Sequence, residues 1–457
     1  MVNHLVAAIA GILLLLAPTL VCVRAVAFGQ GNVSHVELDQ LALEVAGLEG
    51  ARAIKNLQRA YGYYTDVALW NEVAGLFAED ATIELGSDGV YAGNTRIREY
   101  LTQLGGGQVG LKWGQIAEHL QLQPVIHVAA DGRTATGRWR DLAMLGQYKA
   151  SAAWGEGIYE NTYVKRNGVW LIQSLHLYTN YIAPYESGWA RLQPQSDWRS
   201  AVSKSFPPDR PPTKAYSTFP EPFVPPFHYA NPGKAPAPAA TTGSDPRIQA
   251  LRRQAQLLRD HDEIENLQGI YGYYFDKNLW DEVAPLFTAN ATFEDGQRGV
   301  YVGRSRIRKA LQLFGPNGPQ RGRLNNYFQL QPVIHVADDG RTAKGRWQGI
   351  LQLAEPNTAG AWGVGVYENE YVKERGGWRI SKLHFFLTGQ ADYDLMWTKG
   401  PIPAPTPSAV LPPDRPPTAV YRSFPGVYMP PFHYVHPVTG KPISVDPQPG
   451  DSVVRSK

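Results

Sequence analysis

Apolar residues near the start of the chain recur at helical spacing. Ile54, Leu57, Tyr61 and Tyr64 stand at i, i+3, i+7 and i+10, which predicts one buried helix face. Trp70, Val73, Leu76 and Phe77 predict a second, shorter stripe. The period then changes. Residues 81–85 predict a strand, and 94–104 a third helix with Asn94 or Thr95 as its N-cap. Three longer strand-like runs follow at 116–129, 134–147 and 152–165. Asn167-Gly168 predicts a tight turn into a last strand over 169–178. Helices first and an antiparallel meander afterwards predict an α+β domain, with helices on one face of a curved sheet.

The pattern then recurs. Gln-Leu-Gln-Pro-Val-Ile-His-Val at 121–128 returns unchanged at 329–336, and Pro-Pro-Asp-Arg-Pro-Pro-Thr at 207–213 returns at 412–418. The separation is 210 from Tyr61 to Tyr271, 208 from Gln121 to Gln329 and 205 from Pro207 to Pro412. Such a period is too long for a solenoid and indicates duplication of a whole domain. The division reads as a leader at 1–27, domain 1 at 36–180, a Pro-rich strap and linker at 181–245, domain 2 at 246–388, and a second strap with a tail at 389–457. Each strap ends in Pro-Pro-Phe-His-Tyr and is too rich in proline to be a central strand.

The leader combines a Pro-interrupted apolar run over 5–21 with the small-residue pattern Ala25-Val26-Ala27. This predicts a secretory signal peptide and a secreted or periplasmic mature chain. A lipoprotein acylated at Cys22 and an uncleaved anchor are the alternatives. Cys22 is the one cysteine, so disulfides, cysteine-based zinc sites and iron–sulfur clusters are excluded. With 44 basic against 41 acidic residues, the chain lacks the charge of a nucleic-acid binder. No metal or cofactor motif stands out. Two joined copies can pair within one chain, so a monomer is expected.

The quoted residues resemble the SnoaL-like branch of the nuclear transport factor 2-like superfamily. The frame is Ile54, Leu57, Tyr61, Asp66, Trp70, Val73, Leu76 and Phe77, then Asp80-Ala81, the Gly-Val-Tyr-x-Gly of 89–93, and a Gly/Tyr/Asn/Trp pattern over 157–170. The second copy repeats it from Ile264 to Phe287, with Asn290 in place of Asp80. The resemblance implies two cone-shaped α+β domains, each enclosing a pocket. In family enzymes that dehydrate, dehydrohalogenate or isomerise small apolar molecules, a Tyr and an Asp on the first helix meet a strand His. Carried over, these are Tyr61, Asp66 and His119, although a one-residue slip would put Glu118 at the last position.

A His–carboxylate pair is suited to proton abstraction near neutral pH, and a Tyr hydroxyl to a leaving group or oxyanion. Further pocket candidates are Tyr64, Trp113, Asp141, Trp154, Tyr159, Asn161 and His176, with Tyr271, Asp276 and Tyr327 in the second copy. Competing readings are structural: Asp66 as a helix cap, Tyr61 as a core aromatic, His119 as a plain strand residue. His127 and His335 read as structural or solvent residues, His384 as a twin of His176, and His228 and His433 as strap anchors. Copy two has Tyr327 for His119, Asn326 for Glu118, Gly349 for Asp141 and Val364 for Glu156. The expectation is therefore an exported, cofactor-independent lyase or isomerase acting on a small apolar hydroxylated molecule, with the active site in copy one. A hydrophobic-ligand carrier and an adaptor are the alternatives.

Overall fold

A computed structural model describes residues 35–113, 115–192, 199–234, 246–355, 360–374, 377–395, 399–426, 428–435 and 442. The predicted leader, residues 1–27, and its Cys22 lie outside them. No helix among the described residues is long and apolar enough to cross a membrane.

Copy one begins with the long helix α1 (His35–Asp66), followed by α2 (Trp70–Gly75), β1 (Phe77–Leu85), β2 (Val90–Ala92) and α3 (Asn94–Leu104). Four long strands complete it: β3 (Gln115–Val128), β4 (Thr134–Gln147), β5 (Ser151–Arg166) and β6 (Val169–Pro184). The sheet order is β2-β1-β6-β5-β4-β3. The β3–β6 meander is antiparallel as expected, but β1 pairs parallel with β6, so the sheet is mixed. The sequence pattern could not show this, because β1 is joined to the meander through α3 and a loop.

The N-cap expectation for α3 fails. Gly93, at φ 89°, precedes the helix without a side-chain cap. The Asn94 amide donates to the carbonyls of Ala74 and Phe77 instead, tying α3 to the preceding turn.

Copy two repeats the plan after α4 (Arg199–Ser205), which lies in the strap. Its elements are α5 (Pro246–Asp276), α6 (Trp280–Val283), β7 (Phe287–Asp295), β8 (Val300–Val302), α7 (Arg304–Ala310), β9 (Leu324–Val336), β10 (Thr342–Ala354), β11 (Gly360–Glu374) and β12 (Gly377–Asp392). Its order, β8-β7-β12-β11-β10-β9, matches that of copy one.

Helix α1 lies across the inner face of its sheet with Ile54 and Tyr61 fully buried. Gly62 permits this approach, since a Cβ there would stand 3.1 Å from the His119 carbonyl oxygen. The helix ends where Ala68 turns to φ 57°, a left-handed conformation taken in copy two by Asn278, a residue type suited to it.

The copies pack against each other. Lys55 of α1 pairs with Asp262 and Glu265 of α5. A bulge at Gln123 sends that side chain across to the Gly269 carbonyl and the Gln329 N–H. Trp154, Trp189 and Trp362 meet in a shared aromatic cluster. Each strap crosses the outer face of its own sheet. In copy one, Glu84, His176, Glu160 and Arg138 form a polar row in register across β1, β6, β5 and β4. Thr213 hydrogen-bonds Glu84, and His228 bonds both Glu160 and His127. Strap one also reaches the other copy, where Asn231 donates to Glu282 and Glu221 pairs with Arg321.

Candidate active site

Between α1, α3 and the inner face of the first sheet lies a cavity of about 410 Å³. Leu101, Leu104, Leu145, Leu177 and Ile182 make its wall largely apolar, and its polar groups include Tyr61, Tyr159 and His119. Strand alternation places these groups. Leu177 faces the cavity, whereas its neighbour His176 lies in the outer polar row, beside Glu84 and stacked on Tyr178. Burial holds the His176 imidazole down to about 4.

His119 and Asp141 come together through register. His119 faces Ala143, and Gln121 faces Asp141, so the two are diagonal neighbours on the inner face of β3 and β4. The His119 Nδ1 stands 3.4 Å from an Asp141 carboxylate oxygen. Asp141 is almost fully buried and His119 about one-fifth accessible. Both also border a small adjoining hollow. This corrects the expected arrangement. Asp66 does meet His119, but the hydrogen bond it accepts comes from the His119 backbone N–H, at 2.7 Å. Burial is the largest influence on the Asp66 carboxyl and raises its pKa to about 6, against the lowering effect of that hydrogen bond. Asp66 thus fixes the strand beneath the imidazole, and Asp141 faces the ring itself.

Tyr61 packs edge-on against Phe77 and Tyr159. Burial raises the Tyr159 hydroxyl well above its ordinary value, and the neighbouring Asp141 charge adds to this. The Tyr159 hydroxyl is therefore a proton donor at neutral pH. A buried network lies under the site. The Gln58 amide oxygen accepts from Asn161 and Tyr163, Gln58 donates to Gln121, and Gln121 donates to the His119 carbonyl. Copy two has the same network at Gln268, Asn369, Tyr371 and Gln329, so it belongs to the scaffold.

Several predicted pocket residues lie elsewhere. Asn161 is held in that network, Tyr64 packs on the domain core, and Trp154 is in the cluster between copies. Trp113 is exposed beside the cavity mouth. In copy two, Tyr271 and Tyr327 are core residues. Asp276 accepts a hydrogen bond from the Tyr327 N–H, as Asp66 does from His119, and also forms a buried ion pair with Arg140 of copy one. That arginine belongs to a group spanning the copies. Arg140 also pairs with Glu156, Glu156 accepts from Asn180, and Asn180 accepts from Lys277. Burial lowers the Lys277 amine to about 8. The sequence could not place Arg140 here, because the contact depends on how the copies dock.

Copy two is filled where copy one is hollow. Thr65, Leu104, His119 and Leu177 line the cavity. Their counterparts Phe275, Phe314, Tyr327 and Phe385 pack together, with Phe275 centred 5.1 Å from Phe314 and 4.6 Å from Tyr327. Among the described residues, one group has metal-ligand types within reach, His261, Asp262 and Glu265. Lys55 already pairs with both of its carboxylates.

Residues 46–176 and 256–384 each match the family model of the SnoaL-like domain. Solved structures with similarity include one from Novosphingobium aromaticivorans, provisionally named a scytalone dehydratase, at 23% identity and TM-score 0.26, covering 32% of this chain and 90% of that one. LinA matches at 18% identity and TM-score 0.27, covering 32% and 93%. A Mycobacterium tuberculosis protein of unknown function, Rv3472, matches at 21% identity and TM-score 0.26, covering 34% and 89%.

Proposed function

The chain belongs to the SnoaL-like family in both of its copies, and from that premise we propose that copy one is a cofactor-independent lyase or isomerase. The observation that carries this reading is the His119–Asp141 pair bordering a largely apolar cavity, set against an aromatic-filled copy two in which both residues are replaced. His119 is the base. Asp141 accepts its Nδ1–H, which fixes the tautomer with a lone pair on Nε2 and stabilises the imidazolium that forms. Nε2 takes a proton from a carbon next to a carbonyl or leaving group. Tyr61, with Tyr159 beside it, donates to the developing oxyanion or to the departing hydroxyl. Asp66 positions the His119 backbone. The substrate is a small, largely apolar molecule with one oxygenated end.

In this reading the chain is exported and works as a monomer. The leader pattern and the extensive contact between copies support those two points. The test is proton exchange in deuterated water. Purified protein is incubated with a panel of cyclic ketones and α-carbon exchange is followed by nuclear magnetic resonance. Exchange lost in His119→Ala and retained in Tyr327→Phe is expected. No exchange with any ketone, or equal loss in both variants, overturns the reading. Tight ligand retention without exchange would favour a carrier, which the apolar wall would also suit.

A further inference from the structure

The mouth of the cavity differs between copies more than the scaffold does. In copy one it is bordered by the segment after α3, residues 105–113, and by the β4–β5 turn. Gln147 donates to the Trp113 carbonyl and joins the two segments. Trp113 is 83% exposed and Tyr148 58% exposed, and their rings meet edge to face at 5.6 Å. Leu111 belongs to both the cavity wall and this rim, so the apolar surface continues from inside to outside. Two exposed cations, Lys112 and Lys149, accompany the aromatics, and the Lys149 amine lies 5.3 Å from the centre of the Tyr148 ring. Residues 105–113 and 147–153 contain no acidic residue, and among the described residues neither lysine forms an ion pair.

Copy two provides the contrast. Its corresponding segment, 315–322, has no exposed aromatic or aliphatic side chain except prolines. Arg321 and the adjoining Arg323 are ion-paired with Glu221 and Glu355. Exposed aromatics and unneutralised cations thus coincide at the copy with the open cavity. An exposed aromatic rim continuous with an apolar cavity suits a ligand longer than the cavity. Two exposed lysines outside any ion pair among the described residues suit a negative charge at its outer end.

We propose that the cavity of copy one takes amphipathic organic anions, with the apolar body inside, the oxygenated end toward His119 and a carboxylate- or sulfonate-type group at the mouth beside Lys112 and Lys149. This rests on copy one being the reaction site and specifies what enters it. Trp113 and Tyr148 carry the part of the ligand that projects beyond the wall.

The experiment uses the full chain and two fluorescent probes: anilinonaphthalene sulfonate, an anion, and phenylnaphthylamine, its neutral counterpart. Tighter binding of the anion is expected. Lys112→Gln with Lys149→Gln should weaken the anion by about 3- to 10-fold, the scale of two exposed charge contacts, and leave the neutral probe unchanged. Trp113→Ala should weaken both. Thr65→Phe with Leu104→Phe, which introduces the side chains of copy two, should abolish both and so place the probes in the cavity. Equal affinity for both probes with no effect of the lysine changes overturns the anion proposal and leaves the ketone-exchange result standing. Binding that survives the filled cavity overturns it as well. Sedimentation with phosphatidylglycerol vesicles that depends on Trp113 and Lys112 and persists with the cavity filled would assign the rim to a lipid surface instead.

Discussion

Arg140 of copy one and Asp276 of copy two form an ion pair whose side chains are 1% and 2% exposed. Asp276 is the counterpart of Asp66, and Gln348 is the counterpart of Arg140. Gln348 donates to the Gly365 carbonyl of its own domain. Each aspartate accepts a backbone N–H from its third strand, but only Asp276 also receives a guanidinium. One position of the duplicated domain is therefore a buried, ion-paired cation in copy one and a neutral amide in copy two.

Removing one partner of this pair should be costly. Asp276→Ala leaves the buried Arg140 guanidinium with Glu156 as its one carboxylate partner among the described residues. A loss of about 3–5 kcal/mol is expected, read as a lower urea midpoint. The triple change Arg140→Gln, Glu156→Gln and Asp276→Asn removes the three buried charges together and should recover most of that loss. A triple variant no more stable than Asp276→Ala would show that these groups do not act as a unit.

Asp66 gives a pH dependence of known sign. Its folded value is raised from 3.8 to about 6, so the native state holds this proton more tightly than the unfolded chain does. The resulting stability is fully present below pH 3.8 and is lost as pH rises through about 6. Asp66→Asn keeps an oxygen for the His119 N–H and removes the buried charge. It should raise stability by roughly 1–3 kcal/mol at pH 8 and change it little at pH 4. A thermal midpoint that shifts equally at the two pH values would contradict this.

Asp141→Asn separates orientation from folding. The amide fills the same space but does not stabilise an imidazolium. Ketone proton exchange should fall by about 10²- to 10⁴-fold, while the urea midpoint moves by less than that of Asp276→Ala. An unchanged exchange rate would remove Asp141 from the mechanism.

The aromatic filling of copy two should behave as ordinary core. Phe314→Ala leaves a void between Phe275 and Phe293 and should cost about 3–5 kcal/mol. Exchange at copy one should be retained under conditions where the variant is folded. Loss of exchange in a folded Phe314→Ala protein would place chemistry in copy two.

Much of the architecture is legible in the sequence because it is local or repeated. The i, i+3, i+7 stripe of α1, the turn at Asn167-Gly168 and the strand meander are periodic signals. The duplication sets Tyr327 against His119 through the matching of the two copies alone. The partner of His119 was less accessible. Asp66 lies at the right distance along the chain pattern, but pairing of the ring with Asp141 depends on the register of β3 on β4 and on the bulge at Gln123. The position of His176 depended on which face of β6 is covered by helices. The Pro-rich strap covers the opposite face, and that contact joins residues far apart in sequence. Arg140 and Asp276 meet only through the docking of two domains, a relationship that periodicity does not encode.

The covalent joining of the copies has a consequence for how such a molecule can change. In a homodimer with a twofold axis, one coding change alters both halves at once, and a favourable contact on one side is repeated on the other. Here each half has its own codons. A guanidinium was placed opposite one aspartate without being imposed on its mirror position, where it would meet Asp66 beneath His119. One half could then be filled with aromatic side chains while the other kept its hollow interior. The tandem chain relaxes symmetry as a constraint on heredity while keeping it as a plan of assembly.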